Sequence, residues 1–338
     1  MTGSPGAAIS KKILRNLKAP SGSNDTSLDI FEDRFQCRET GEDFGFVDSV
    51  PSLYGTLDAD GVDVTGRVKS FYEENPFPNY EGLEEFGQLV QKGSQNPFSA
   101  DLLGAIGYNK TILECGCGTG QLSHFLQLNN NYVLGIDMSL SSLKLAEEHR
   151  QRNQLQRSAF IQMNIFDLAI KDNSFDVAIS HGVLHHTYDA KKAFGHIVQK
   201  LKPGGIIMVG LYNSYARIPT WIRSKLINLL GPKIDYVVRN RIVDERKAEI
   251  WIKDQYFNPH ETWHSVDEVL GWFEEFGVAF RNCSPAILGT SGEGAENLFA
   301  KTEPGNSYQR AITQMSWIGS IAREGALFDV IGEKAGPA

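Results

Sequence analysis

The feature that most constrains the fold is a glycine-rich turn that follows a short apolar run. Residues 112–120 read Ile-Leu-Glu-Cys-Gly-Cys-Gly-Thr-Gly, and a second apolar run, Tyr-Val-Leu-Gly-Ile-Asp, ends at Asp137. Glycines at such a turn let the backbone approach a ligand, because no Cβ stands in the way. A carboxylate about 20 residues further on can bind both hydroxyls of a ribose. The pattern therefore predicts a strand, turn and helix that bind a nucleoside-containing cofactor.

The spacing of the glycines indicates which cofactor this is. A dinucleotide-binding turn has glycine at its first, third and sixth positions, but the sixth position here is Gln121. Glycine stands at the fifth position instead, as Gly120. This Glu-x-Gly-x-Gly-x-Gly pattern resembles motif I of the class I S-adenosylmethionine (SAM) methyltransferases. The same spacing opposes a nicotinamide or flavin enzyme.

Later segments match the same family in order. A third apolar run reaches Asn164 and Ile165, where the family places an acidic or amide side chain against the adenine. Residues 175–181 resemble the fourth strand, and Leu-Lys-Pro-Gly-Gly at 201–205 resembles the turn into the fifth. The chain is similar to ubiquinone- and menaquinone-type small-molecule methyltransferases. That resemblance implies an α/β, Rossmann-like sheet of seven strands, mostly parallel, with an antiparallel last strand.

The resemblance also implies a cofactor and the residues that hold it. SAM is the expected cofactor, S-adenosylhomocysteine is its product, and the acceptor atom is N, O or C. The protein is expected to hold the two reactants in line and to exclude water. The residues expected to contact the cofactor are Glu114, Gly116, Cys117, Gly118, Gly120, Asp137, Met138, Asn164, Ile165, His181 and Tyr72.

A predicted insertion after the fifth strand, residues 214–264, is expected to cover the acceptor. General-base candidates, in order, are His264, His260, Tyr256 and His186, because histidine titrates near neutral pH. A structural hydrogen-bond network of the same residues is an equal alternative. Residues 260–264 also fit the His-Glu-x-x-His pattern of zinc proteases, but the capping box at Ser265 starts a helix only after them. The sequence therefore predicts no metal site there.

The segments before the glycine turn carry three further expectations. Residues 1–28 are rich in Gly, Ser, Lys and Pro, and are predicted to form a mobile tail. Residues 29–62 resemble the zinc ribbon that precedes many methyltransferases, but only Cys37 remains of its ligands, which predicts a metal-free hairpin. Residues 63–103 are predicted to form a helical lid, with Tyr72 or Tyr80 reaching the cofactor, and plain packing of these two rings is an equal alternative. Residues 104–338 form the predicted SAM-binding domain.

Composition limits the partners. The net charge of −8 over 338 residues opposes a nucleic-acid substrate, although basic residues between 217 and 247 keep an RNA methyltransferase as an alternative. A catalytically silent methyltransferase-like subunit is a second alternative, which the intact glycines and Asp137 oppose. No apolar run is long enough to span a bilayer, and four cysteines without paired spacing favour a cytoplasmic protein. The oligomeric state stays open.

Overall fold

The computed structural model describes residues 9–20, 22–55, 62–76, 78, 80, 82–242, 244–288 and 298–336. The chain begins with a small unit that lies beside the main domain. Its elements are the one-turn helix α1 (Lys11–Leu14) and the strands β1 (Leu28–Ile30), β2 (Arg34–Cys37), β3 (Asp43–Val47) and β4 (Val50–Pro51). The four strands form an antiparallel sheet in chain order, so the predicted hairpin lies within a slightly larger sheet.

This N-terminal unit packs against the main core. Ile13 and Leu17 are almost completely buried, and the Lys18 amide donates to the Ala169 carbonyl at 3.1 Å. The prediction of a mobile tail is therefore wrong for residues 9–20 and 22–28, because these apolar side chains have a core to bury in. Residues 1–8 and 21 of that prediction lie outside the described residues. Cys37 is buried, and the metal-free nature of its hairpin stays a prediction.

The described residues between the small sheet and the glycine turn include three helices. They are α2 (Val62–Glu74), α3 (Phe86–Gln95) and α4 (Pro97–Ile106). Helix α2 ends just before Pro76, which disfavours helical geometry in the residue before it. Asn96 caps α4, because its side chain accepts from the Ser99 amide at 3.1 Å and Pro97 fills the first helical position. The predicted lid region is thus helical.

The main domain is built on seven strands. They are β5 (Thr111–Cys115), β6 (Tyr132–Asp137), β7 (Ser158–Gln162), β8 (Phe175–His181), β9 (Leu201–Tyr212), β10 (Val278–Ser284) and β11 (Leu327–Lys334). Their order in the sheet is β10-β11-β9-β8-β5-β6-β7, and only β11 runs antiparallel to its neighbours. This arrangement confirms the predicted Rossmann-like sheet. Every residue of β5 and β7 is buried, as expected for parallel strands covered by helices on both faces.

Helices flank this sheet. They are α5 (Gln121–Leu126), α6 (Leu140–Arg152), α7 (Ala190–Lys200), α8 (Ile218–Leu230), α9 (Tyr236–Asn240), α10 (Glu245–Phe257), α11 (Val266–Glu275) and α12 (Ser307–Ser320). In the described part of the chain, no helix has the length and apolarity needed to cross a bilayer. Ser265 caps α11 as predicted, because its side chain accepts from the Glu268 amide at 3.2 Å.

One local expectation needs correction. The Pro-Gly-Gly turn is a bulge inside β9, because the partner of β8 jumps from Leu201 to Ile206. His185 and His186 lie in a short 3-10 turn, Leu184–His186. The insertion is mostly helical, and residues 254–257 form the last turn of α10.

Candidate functional site

A cavity of ≈570 Å³ opens where β5, β6 and β8 end. Ligands bind at this edge of open α/β sheets, where the strand order reverses. Every predicted cofactor residue lines the cavity except Gly120. The sheet thus brings together residues from the ends of three strands with Tyr72 of α2.

The glycines of the turn are required for different reasons. Gly116 has φ +76°, and a Cβ at this position would lie 2.4 Å from the Val183 side chain. Gly120 has φ +78° and lies at the start of α5, where a Cβ would lie 2.5 Å from the Phe160 ring. Gly116 therefore allows the Val183 side chain to pack against the turn, whereas Gly120 allows close packing under α5. This packing explains why Gly120 does not line the cavity.

Asp137 ends β6 as a half-buried carboxylate. One oxygen accepts from the Gly118 amide at 2.8 Å, and the other accepts from the Ser139 amide at 2.9 Å. Burial raises the pKa of Asp137, although these backbone hydrogen bonds oppose that shift. A carboxylate accepts about four hydrogen bonds, so acceptor sites remain for the hydroxyls of a ribose.

Glu114 and His181 also line the cavity. Burial raises the pKa of Glu114 to about 7, against a hydrogen bond donated by Ser123. His181 pairs through Nδ1 with Asp329 Oδ1 at 2.8 Å. Burial lowers the pKa of His181, but the Asp329 carboxylate outweighs burial and holds it above its usual value. A Cβ at Gly210 would lie 2.6 Å from Asp329 Oδ1, so this glycine leaves room for the pair.

The cavity continues away from the glycine turn to a polar and aromatic end. Tyr72 donates its hydroxyl to Asp254 Oδ1 at 2.9 Å, and Gln255 donates to Asp254 Oδ2 at 3.0 Å. Gln255 also donates to the Tyr212 hydroxyl at 2.9 Å. These bonds join α2, the end of β9 and α10 around one space, although the three segments are far apart in the chain.

Arg217 packs behind Tyr212 at this end of the cavity. Its side chain is fully buried, and its guanidinium carbon lies 3.7 Å from the centroid of the Tyr212 ring. Its nitrogens donate to the Glu261 carboxylate, to the side chain and carbonyl of Gln255, and to the Gly325 carbonyl. These five hydrogen bonds use all the N–H groups of an arginine side chain.

Comparison with known sequences identifies the family of this domain. A family described as "Methyltransferase domain" matches residues 106–275, about half of the chain. The chain belongs to this methyltransferase family. An uncharacterized protein from Synechococcus sp. is 29% identical over 249 residues, covering 64% of this chain and 59% of that relative. A ubiquinone biosynthesis O-methyltransferase from Coxiella burnetii is 30% identical over 105 residues, covering 31% of this chain and 44% of the relative.

A solved structure of a Haemonchus contortus phosphoethanolamine N-methyltransferase 2 aligns with this methyltransferase at a TM-score of 0.46 and 14% identity. It covers 80% of this chain and 60% of that chain. The methyltransferase spans less than two thirds of the length of each of these three relatives. SAM is the cofactor of the domain. The positive-φ glycines Gly116 and Gly118, which line the cavity, and the remaining acceptor sites of Asp137 fit this group.

The methyltransferase does not bring all the predicted base candidates to the cavity. His264 Nδ1 bonds to Glu268 at 2.9 Å, its Nε2 bonds to Thr262 at 2.8 Å, and its ring packs edge-on against Trp272. The Tyr256 hydroxyl donates to Asp235 at 2.5 Å. Neither His264 nor Tyr256 lines the cavity. Their surroundings favour the structural alternative that the sequence left open.

His186 is the candidate that lines the cavity. Its Nδ1 lies 2.8 Å from the His260 carbonyl, which can only accept, so Nδ1 carries the proton and Nε2 keeps a lone pair. Burial lowers the pKa of His186, although Asp254 and the His260 carbonyl oppose that shift. His260 therefore acts on the site through its backbone, and its own side chain does not line the cavity.

Tyr80, the other candidate of the lid, does not line the cavity. Its hydroxyl donates to the Thr119 carbonyl at 2.6 Å, and its ring stacks on His149. The site residues that the sequence analysis missed include Tyr212, Trp251 and Asp329. Tyr212 had a usable signal, because it ends a parallel strand at the edge where ligands bind. Asp329 had no usable signal in the sequence, because it lies 148 residues from its partner His181.

Proposed function

We propose that the chain is a SAM-dependent methyltransferase that transfers the methyl group to an N, O or C atom of a small molecule. The observation that carries the proposal is the continuity of the cavity, which runs from the glycine turn and Asp137 to an end lined by His186 and Asp254. A cofactor and an acceptor in one cavity can be aligned for direct transfer. The relative named as a ubiquinone biosynthesis O-methyltransferase supports a small acceptor.

The roles of the residues follow from their positions. Asp137 would hold the ribose hydroxyls, and Asn164 with Ile165 would border the adenine. Glu114 and His181 would face the remaining part of the cofactor. When bound, SAM supplies an electrophilic methyl group on a sulfonium. The lining residues orient the acceptor and exclude water, which strengthens the polar interactions inside the site.

A proton has to leave when the acceptor is an amine or a hydroxyl. We assign its removal to Nε2 of His186, because this nitrogen has a lone pair and its ring lines the cavity. A base contributes typically 10²–10⁴-fold to rate. His264, His260 and Tyr256 are the weaker proposals, since the side chains of His264 and Tyr256 have other partners.

An RNA acceptor finds less support. Three arginines of the basic segment are already engaged: Arg217 is buried, Arg223 donates to the Ala322 carbonyl at 2.7 Å, and Arg241 pairs with Glu324. Phosphate binding needs exposed positive charge in a cluster. A catalytically silent subunit would need no lined acceptor space. The cytoplasmic location favoured by the four cysteines stays a prediction.

Calorimetry and mass spectrometry test the proposal together. The purified protein should bind SAM and S-adenosylhomocysteine, and it should not bind NAD. Incubation with SAM and a broad panel of small molecules should give at least one product heavier by one methyl group. Binding of NAD instead of SAM would overturn the cofactor assignment. SAM binding with methylation of RNA but of no small molecule would overturn the acceptor assignment.

A further inference from the structure

Among the described residues, the end of the cavity that faces away from the glycine turn is lined by two carboxylates and by no Lys or Arg. Of the described residues that line the cavity, Lys92 is the single Lys or Arg, and it belongs to α3. Its amine donates to Gln121 at the start of α5, at 3.1 Å. The end near α10 contains Asp254 and Glu324 instead. An anionic acceptor would meet two carboxylates there and no Lys or Arg partner.

Asp254 is the carboxylate that a ligand can use. Its hydrogen bonds come from the Tyr72 hydroxyl and the Gln255 amide, which are both neutral groups. Among the residues that the structure describes, Asp254 forms no salt bridge, whereas Glu324 is paired with Arg241. About two acceptor sites of the Asp254 carboxylate stay available. A charged donor at these sites would form the stronger, charge-assisted kind of hydrogen bond.

Arg217 does not compensate this carboxylate by contact. All its N–H groups are used by Glu261, Gln255 and Gly325, and the Tyr212 ring separates it from the cavity. No donor of Arg217 is left for a phosphate or carboxylate of an acceptor. The buried cation therefore supports the wall of the cavity and does not select anions.

Aromatic rings adjoin Asp254. Trp251 lies three residues before it on α10, so both side chains lie on the same face of the helix. The Trp251 indole N–H donates to Asp235 at 3.2 Å, so the polar atom of this ring is already engaged. Trp251 and Tyr72 both line the cavity. Aromatic faces attract organic cations in addition to apolar groups.

The geometry points to an organic amine as the acceptor, bound in its ammonium form by Asp254 with Tyr72 and Trp251 around it. This inference rests on the proposed function. The ammonium gives one proton to Nε2 of His186, and the freed nitrogen lone pair forms the bond to the methyl carbon. The electrons of the broken carbon–sulfur bond stay on sulfur. The products are the methylated ammonium and S-adenosylhomocysteine.

A matched set of ligands tests the charge preference. Phenethylamine, 2-phenylethanol and phenylacetate have similar size and differ in the charge of one group. With S-adenosylhomocysteine present, calorimetry should detect the amine at least about tenfold more tightly than the alcohol or the acid, since hydrogen bonds to charged groups are the stronger class. Equal binding of all three, tighter binding of the acid, or binding of none would overturn the inference.

Variants separate this inference from the proposed function. Asp254→Asn should weaken amine binding about tenfold and leave SAM affinity within about twofold. Glu249→Gln, an exposed change on the same helix, should alter neither, and urea unfolding should report a folded protein for both. Loss of SAM affinity in Asp254→Asn with unchanged amine binding would assign Asp254 to the cofactor. Absence of SAM binding in the unmodified protein would overturn the proposed function itself.

Discussion

The cavity has a proposed cofactor half and a proposed acceptor half, which are built in different ways. The centre of the cofactor half comes from one stretch of chain, from Glu114 at the end of β5 to Asp137 at the end of β6, and Asn164 and His181 join it from the carboxyl ends of β7 and β8. The acceptor half joins Tyr72 to Asp254, which are 182 residues apart. One half is a local backbone conformation set by glycines, and the other is a hydrogen-bond network between distant elements. The two halves should therefore respond differently to substitution.

The largest expected effect is on the acceptor half. Arg217→Ala removes a buried cation and leaves Glu261, Gln255 and Gly325 without their donor. We expect a loss of about 3–5 kcal/mol in the free energy of unfolding, the range for breaking a buried ion pair. Urea unfolding measures this change. Exposed Arg239→Ala should stay within about 0.5 kcal/mol. A loss of under about 1 kcal/mol in Arg217→Ala would mean that the network is not what holds this half together.

The cofactor half should lose ligand affinity rather than stability. Asp137→Ala removes the carboxylate expected to bind the ribose, which should cost about 1–3 kcal/mol of SAM binding, or roughly tenfold or more in affinity. Calorimetry with SAM gives the affinity, and urea unfolding shows that the variant is folded. Unchanged SAM affinity would contradict the cofactor assignment of this half.

Glu114 should make the ligand-free protein less stable at higher pH. Its folded pKa of about 7 exceeds the usual 4.5, so the folded state binds more protons than the unfolded state between these values. The free energy of unfolding should then fall as pH rises through this window, by roughly 1–3 kcal/mol. Glu114→Gln should remove this slope, whereas exposed Glu249→Gln should keep it. A slope of opposite sign in the unmodified protein would show that Glu114 is not the responsible group.

The smallest effect is expected outside both halves. His264→Ala loses hydrogen bonds to Glu268 and Thr262, which should cost about 1–2 kcal/mol in the free energy of unfolding. Turnover and SAM affinity should change less than about twofold, because the ring does not line the cavity. A fall in turnover of a hundredfold or more, at unchanged SAM affinity, would instead make His264 the general base.

The sequence by itself predicted the centre of the proposed cofactor half and the order of the strands along the chain. The roles of Gly116 and Asp137 can be predicted from the sequence because they depend on local geometry. Gly116 needs a positive φ at a turn, and Asp137 lies at the end of the next strand. The antiparallel last strand followed from the resemblance to the family, and the Ser265 cap from the residues that follow it. The N-terminal tail was misjudged because its polar composition hid Ile13 and Leu17, which are buried in the main core.

Only the tertiary structure decided which residues form the proposed acceptor half. The stretch from Asp254 to His264 contains several titratable groups, and nothing local shows which of them face the cavity. The helical phase of α10 turns Asp254 and Gln255 towards the cavity, while His264 packs against Trp272. Whether a side chain is available to a ligand depends on which distant groups already use its hydrogen-bonding atoms. Those partners are brought together by the packing of α2, β9 and α10, which the order of residues along the chain does not reveal.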